Sequence, residues 1–290
     1  MTTASLSALA WKAAGLPGYI RLDHAPQELA EQLGPLADLV GTWEGACGWN
    51  LISVPRGASG FQALLNPIVE TLAFTAIGAL VPNRGGAAGL MQVPGLHYTL
   101  TVSDAEQGTP LHLENGMWLL LNPPDGRGPS QVARLFSVPH GNVGLALGGF
   151  STQDGPPTLP DNSAMPDSGP ATPPGYTESL SLLPGPFRAD NPNAVLQAQL
   201  TGQKVLRTTT FNQDTTPPGG GLLNIPFITQ HADCRRLRAS FWLETVDDGQ
   251  GGTFLQLQYS QQVDLFFLPR FGDAGLIQWP HVTVNCLRRR

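Results

Sequence analysis

The sequence predicts an all-β protein: an antiparallel barrel of about ten strands, preceded by a short N-terminal helix and interrupted by a long proline-rich loop. Two observations carry this. From Gly41 onward apolar residues recur with a period of two in run after run, the signature of strands with one buried face. In addition, the 34 glycines and 27 prolines are too many for a helical bundle, because both residues are unfavourable inside helices, but they suit short strands joined by turns.

In chain order, "LAEQLGPLADLV" (29–40) places Leu29, Leu33, Leu36 and Leu39 at helical spacing, with Pro35 limiting the length. It reads as a lid or plug helix. Strand-like runs follow: "GTWEGACGWNLI", "FQALLNPIVETLAFTAI", "LHYTLTVSD", "LHLENGMWLLL" and "VARLFSVPHGNVGLALGGF", separated by Pro, Gly, Asn and Asp. The pair Asn115-Gly116 is a strong hairpin signal. Residues 151–176 are rich in proline and poor in large apolar groups, which predicts a surface loop or partly disordered insertion. Strands resume in "YTESLSLL", "QKVLRTTTFN", "DCRRLRASFWLETV", "GGTFLQLQYSQQVDLFF" and "PHVTVNCL", and "NPNAVLQAQL" suits one short helix. Residues 1–40 therefore read as a helical lead-in and 41–290 as a single β-barrel domain. A barrel hides its strand edges and has room inside for a ligand, whereas a β-sandwich would have a solid core; the pattern is compatible with both.

Composition excludes several functions. Charged residues are 13% of the chain and the net charge is −6, which opposes nucleic-acid binding through a basic surface. Cys47, Cys234 and Cys286 lack CxxC spacing and are odd in number, so the expected setting is a reducing, cytoplasmic one without disulfides. Neither a signal peptide nor an apolar run of membrane-spanning length is read in the chain. There is no G-x-S-x-G elbow, H-E-x-x-H helix or phosphate loop, the usual handles of hydrolases, zinc proteases and nucleotide enzymes.

Four stretches bring a comparison. "LVGTWEGACGWNLI", "PLHLENGMW" at 110–118, "SVPHGN" at 137–142 and the closing "PHVTVNCLRR" together resemble the motif blocks of nitrobindin-like haem-binding barrels, members of the calycin superfamily that includes fatty-acid-binding proteins. The resemblance covers about 39–151 and 238–290. The chain is longer than a typical nitrobindin, and the histidine and proline of its third block stand in reversed order. The resemblance implies a calycin-like barrel whose closed end is plugged by Trp43, with Arg288 or Arg289 lying across the indole. It also implies haem b in the cavity, with His281 as the ligand to iron.

The residues themselves leave alternatives. A histidine at a cavity rim binds ferric iron through one nitrogen while the other is held by a neighbour; an isolated strand-end histidine is more often a structural hydrogen-bonding group. His112 and Glu114, two apart on a strand, face the same way, either as a pocket pair in which Glu114 orients His112 or as a pair that fixes the turn. His140, beside Gly141, is a candidate distal catalytic residue or a turn residue. Arg84 and Arg134 are candidates for pairing with haem propionates at a pocket mouth. Of His97 and Tyr98 only one faces inward, while His24 and His231 read as surface. The expected function is a His-ligated haem protein acting on small reactive molecules, by nitric oxide binding, peroxynitrite isomerisation or peroxide-type oxidation. The alternative is a haem-free carrier of a fatty acid or isoprenoid. Partners are expected to be small molecules, with neither nucleic acid nor membrane.

Overall fold

The computed structural model of the chain describes residues 26–77, 81–84, 90–123, 127–177 and 187–290. A short helix, α1 (Pro26–Leu33), runs into a 3₁₀ turn at Gly34–Leu39. Gly34 takes a left-handed φ of 52°, which ends α1, and Pro35 opens the next turn, where a missing N–H costs nothing.

Fourteen strands follow among the described residues: β1 (Gly41–Pro55), β2 (Phe61–Ala76), β3 (Val81–Arg84), β4 (Leu90–Val93), β5 (Gly95–Asp104), β6 (Pro110–Leu121), β7 (Gln131–Val138), β8 (Asn142–Gly148), β9 (Phe150–Asp154), β10 (Val205–Asp214), β11 (Gly221–Asn224), β12 (Asp233–Asp247), β13 (Thr253–Pro269) and β14 (Leu276–Arg289). Helix α2 (Ala194–Leu200) precedes β10 and helix α3 (Pro226–His231) precedes β12. The strands pair in the order β8-β7-β6-β5-β2-β1-β14-β13-β12-β10, and β10 returns to β8. Ten antiparallel strands therefore close into the expected barrel. The closing seam sets β8 and its direct continuation β9 against β10 in one register, Asp214 with Leu147 and Phe211–Arg207 with Phe150–Asp154, joined across the break by a backbone bond from Asn212 N–H to Gly149 O. A side chain at Gly148 would strike the Asn212 carbonyl. β11 continues the seam on its other side by pairing with β8, and β3 with β4 forms a separate hairpin.

One end of the barrel is filled. Leu33, Leu36 and Leu39 pack with Trp43 and the inward Leu72 and Leu287 in one buried cluster, and the Trp43 indole N–H donates to Leu39 O at 2.7 Å. The lead-in is a plug, as its leucine spacing predicts. The arginines are placed differently from the expected stack: the Arg288 guanidinium lies 4.0 Å over the Phe254 ring. Arg289 pairs with Trp43 in register but reaches Asp38 O. Both arginines are exposed, since the buried face of β14 at this end is taken by Leu287.

Three other expectations are corrected. Asn115-Gly116 makes no turn, for both lie inside β6. Gly116 is small because a Cβ there would collide with the Leu135 carbonyl of β7. Pro280 is interior to β14 rather than its first residue, but the pairing of β14 with β1 reaches only to Val282, so one side of the strand is unladdered there. The proline-rich segment forms the expected loop over 155–176, mostly exposed or half-buried, but it starts later than 151 and is anchored. Ser151–Asp154 belong to β9, and Ala164 and Tyr176 are buried on the outside of the barrel, with the Tyr176 hydroxyl donating to Ala164 O at 2.6 Å. The strand expected in "YTESLSLL" falls largely outside the described residues.

Candidate functional site

Period-two alternation sends every second residue of each strand inward. Past the plug these side chains surround a cavity of about 450 Å³, within the range of small-molecule and cofactor sites, roughly 300–1,000 Å³. Much of the wall is apolar, including Leu72, Phe74, Phe136 and Phe241, but several buried polar groups interrupt it. The cavity extends toward the end bordered by the β7–β8 turn, α3 and the early parts of β12 and β14, where Ile228 and Ala232 complete the wall.

His281, His112, Glu114, Arg134 and His140 all line this one cavity. His281 Nε2 lies 2.6 Å from Asn50 Oδ1, and the same oxygen accepts from the Thr283 hydroxyl at 2.9 Å. Burial first, and then the nearby His112 and His140, push the His281 pKa down to about 3, so its ring is neutral near pH 7. With Nε2–H donating to Asn50, the lone pair resides on Nδ1. The rings of His112 and His140 stand 5.6 Å apart. His140 is exposed, and its pKa is lowered by partial burial and by His112.

His112 Nε2 lies 3.2 Å from Glu114 Oε2, so the pair anticipated from "LHLENG" exists. Its second oxygen binds Arg134, whose Nη2 donates at 2.5 Å. Arg134 also donates through Nε to the Tyr98 hydroxyl at 3.1 Å and through Nη1 to Gln261 at 2.8 Å. The Tyr98 hydroxyl donates to Glu114. Glu114 and Arg134 side chains are 1% and 2% exposed. Burial opposes the charge on Glu114, but the Arg134 guanidinium and the His112 hydrogen bond outweigh it and hold the pKa down at about 2. Arg134 is thus a buried cation already paired with Glu114, placed inside the barrel rather than at the mouth where a propionate would be met. Arg84 closes the β3–β4 hairpin, and its side chain lies outside the described residues. Of His97 and Tyr98, Tyr98 faces inward and His97 is exposed; His231 is exposed as expected, while His24 lies outside the described residues.

The histidine motifs did not reveal the second polar group of the wall. Glu70 on β2 is buried, and its Oε2 accepts from the Tyr259 hydroxyl at 2.6 Å and from Asn285 Nδ2 at 2.9 Å. Burial raises its pKa to about 7 against the opposing pull of those two bonds. A signal was present: in "IVETLAF", Ile68, Glu70, Leu72 and Phe74 fall on one strand face, so a carboxyl sits among residues that must point inward.

The fit of a haem can be tested on these groups. A neutral imidazole with one nitrogen held and the other carrying its lone pair suits an axial ligand, and the aromatic and aliphatic wall suits a macrocycle. Among the described residues no three His, Cys, Asp or Glu side chains are arranged to hold a bare metal ion, and a haem would require only one of them.

No family model matches the chain, and no curated protein matches it. Among solved structures it is similar to Rv2717c from M. tuberculosis, at 16% identity over 92% of this chain and 99% of that one, with a TM-score of 0.42. At that level of likeness the barrel rests on this chain's own strand pairing. No helix among the described residues is long and apolar enough to cross a membrane.

Proposed function

We propose that this barrel binds haem b through His281 and acts on a small reactive molecule there. The observation that supports the reading is the state of His281: a neutral imidazole, oriented by Asn50 and Thr283, on the wall of a largely apolar cavity. Haem, when bound, supplies an iron centre for nitric oxide binding, peroxynitrite isomerisation or peroxide-type oxidation. The chain's own residues do the rest. Asn50 fixes the imidazole tautomer, the apolar wall excludes water, and His140, less basic than a free histidine, accepts or returns a proton at the cavity.

Haem titration of the purified chain tests this. Wild type is expected to develop a Soret band whose position and intensity change in His281→Ala; a band identical in that variant removes His281 as the ligand, and no band at any loading removes the reading. Stopped-flow decay of peroxynitrite and turnover of peroxide in His140→Ala then separate the activities, and unchanged rates in both take His140 out of the chemistry.

A second reading is favoured by Arg134. It is the one arginine or lysine on the described cavity wall, and its charge is already paired with Glu114, so no unpaired cation awaits a propionate there. Of the haem-free alternatives, an isoprenoid without an acid group fits that wall, whereas a fatty acid's carboxylate would lack a cation just as a propionate does; the reading predicts apolar-probe binding without a Soret band.

A further inference from the structure

The carboxyl of Glu70 is held in an unusual way. Both donors that reach it, the Tyr259 hydroxyl and Asn285 Nδ2, bind the same oxygen, Oε2. Oε1 is buried and has no hydrogen-bond partner, and the residue forms part of the cavity wall. Burying a polar oxygen without a partner is costly, so native proteins rarely leave one empty-handed.

The surroundings are built to keep the group in this orientation. Asn285 is fully buried, and its side chain fits only because Gly45 and Gly48 face it across a bulge in the β1 register. A Cβ on Gly48 would lie 2.5 Å from the Asn285 side chain, and one on Gly45 3.0 Å from it. The Asn285 Oδ1 accepts from the Cys286 backbone N–H at 2.8 Å, which fixes which end of the amide faces Glu70. Two glycines, an asparagine and a tyrosine from three strands thus hold the carboxyl by Oε2 and leave Oε1 without a partner in a residue of the cavity wall. Asn285 lies four residues along β14 from His281, about 13 Å deeper at roughly 3.3 Å per residue.

We propose that Glu70 is the inner anchor of the cavity, accepting a hydrogen bond through Oε1 from a mainly apolar ligand that carries a hydroxyl or amine at its buried end. The inference rests on the cavity being a ligand site and not on His281 holding iron. As a carboxylate the group accepts at Oε1; once protonated it carries its proton there, because Oε2 already accepts two bonds, so with its pKa raised to about 7 the preference for a donor is read at pH 8.5.

The test compares 2-naphthol, naphthalene and 2-acetylnaphthalene, each titrated calorimetrically into the full-length chain prepared without added haem. Wild type is expected to bind 2-naphthol at least tenfold more tightly than naphthalene, the scale of one hydrogen bond to a charged group. Glu70→Gln keeps the shape and lets the amide oxygen accept from Tyr259 and Asn285, which turns an N–H₂ toward the cavity. In that variant the preference for 2-naphthol is expected to vanish and 2-acetylnaphthalene, an acceptor, to gain. Glu70→Leu is expected to retain naphthalene and lose both preferences. Equal binding of 2-naphthol and naphthalene by wild type, binding of neither, or an undiminished preference in Glu70→Gln overturns the anchor. Haem loading of the same variants, read as the Soret band beside His281→Ala, reports separately on the iron site.

Discussion

The two ends of the barrel interior are made by the same strands and solve opposite problems. At the plugged end, inward positions carry Leu72, Leu287 and Trp43, packed against Leu36 and Leu39, and the one polar atom of the indole is satisfied by Leu39 O. A few residues further along, the inward positions carry Glu70, Glu114, Arg134 and His281 around open volume. Burying apolar surface is gain enough to explain the first end. The second holds ionisable groups that cost stability to bury and are only partly compensated, a contrast expected where a wall serves a ligand rather than the fold.

Separating the two charges of the wall should give the largest effect. Arg134→Met leaves Glu114 buried without its cation and should cost about 3–5 kcal/mol in urea unfolding, whereas Arg134→Met with Glu114→Leu should recover most of it. A double variant as unstable as the single one would show that the pair's hydrogen bonds to Tyr98 and Gln261 matter more than its charges. At the packed end, Leu36→Ala should cost about 3 kcal/mol through the space it opens while ligand affinity in the cavity stays within twofold. A parallel loss of affinity would mean that the two ends are not independent.

The third contrast is with pH. The folded-state pKa of Glu70 is raised from 4.5 to about 7, so the folded protein holds a proton that the unfolded chain has released in between. Its contribution is fully present below pH 4.5 and is lost as pH rises to 7, about 3 kcal/mol in all. Glu244, buried on the same barrel and also raised to about 7, adds a slope of the same sign. Between pH 4.5 and 6.5 His281, held down at about 3, and His140 contribute slopes of the opposite sign, so the test is a difference: from pH 4.5 to 7 wild type should lose about 3 kcal/mol of stability relative to Glu70→Gln, and identical slopes in the two would place Glu70 outside the titration. The smallest effect concerns orientation. Asn50→Leu should change stability by only about 1 kcal/mol, yet weaken haem binding roughly 10–100-fold, as loss of an outer partner does at metal sites.

The strands of the ring were legible because alternation over ten or more residues, as in "FQALLNPIVETLAF", has no helical equivalent. β3, β4 and β11, at four residues each, and the five-residue β9 are too short to show a period, and the closing pair of Asp214 with Leu147 joins residues that no local pattern relates. The histidines drew attention because imidazoles are rare and chemically versatile. Glu70 did not, since a lone glutamate in a strand ordinarily faces water, and Gly45 and Gly48 acquire meaning only once Asn285, more than two hundred residues away, is seen between them. The misplacement of Asn115-Gly116 follows the same logic: the dipeptide suits a turn locally, but the glycine answers to the approach of a neighbouring strand.

The closing seam carries a consequence for traffic. The run Asn142–Asp154 lies against Arg207–Asn224 through five pairs of β9 with β10, one of β8 with β10 and four of β8 with β11, interrupted only at Gly148–Gly149 and by the turn at 215–220. The interruption sits inside a ladder that continues on both sides of it, so the wall does not part there without breaking β9 from β10 or β11 from β8. With the wall laddered all round, exchange of a ligand is left to the end bordered by the β7–β8 turn and α3.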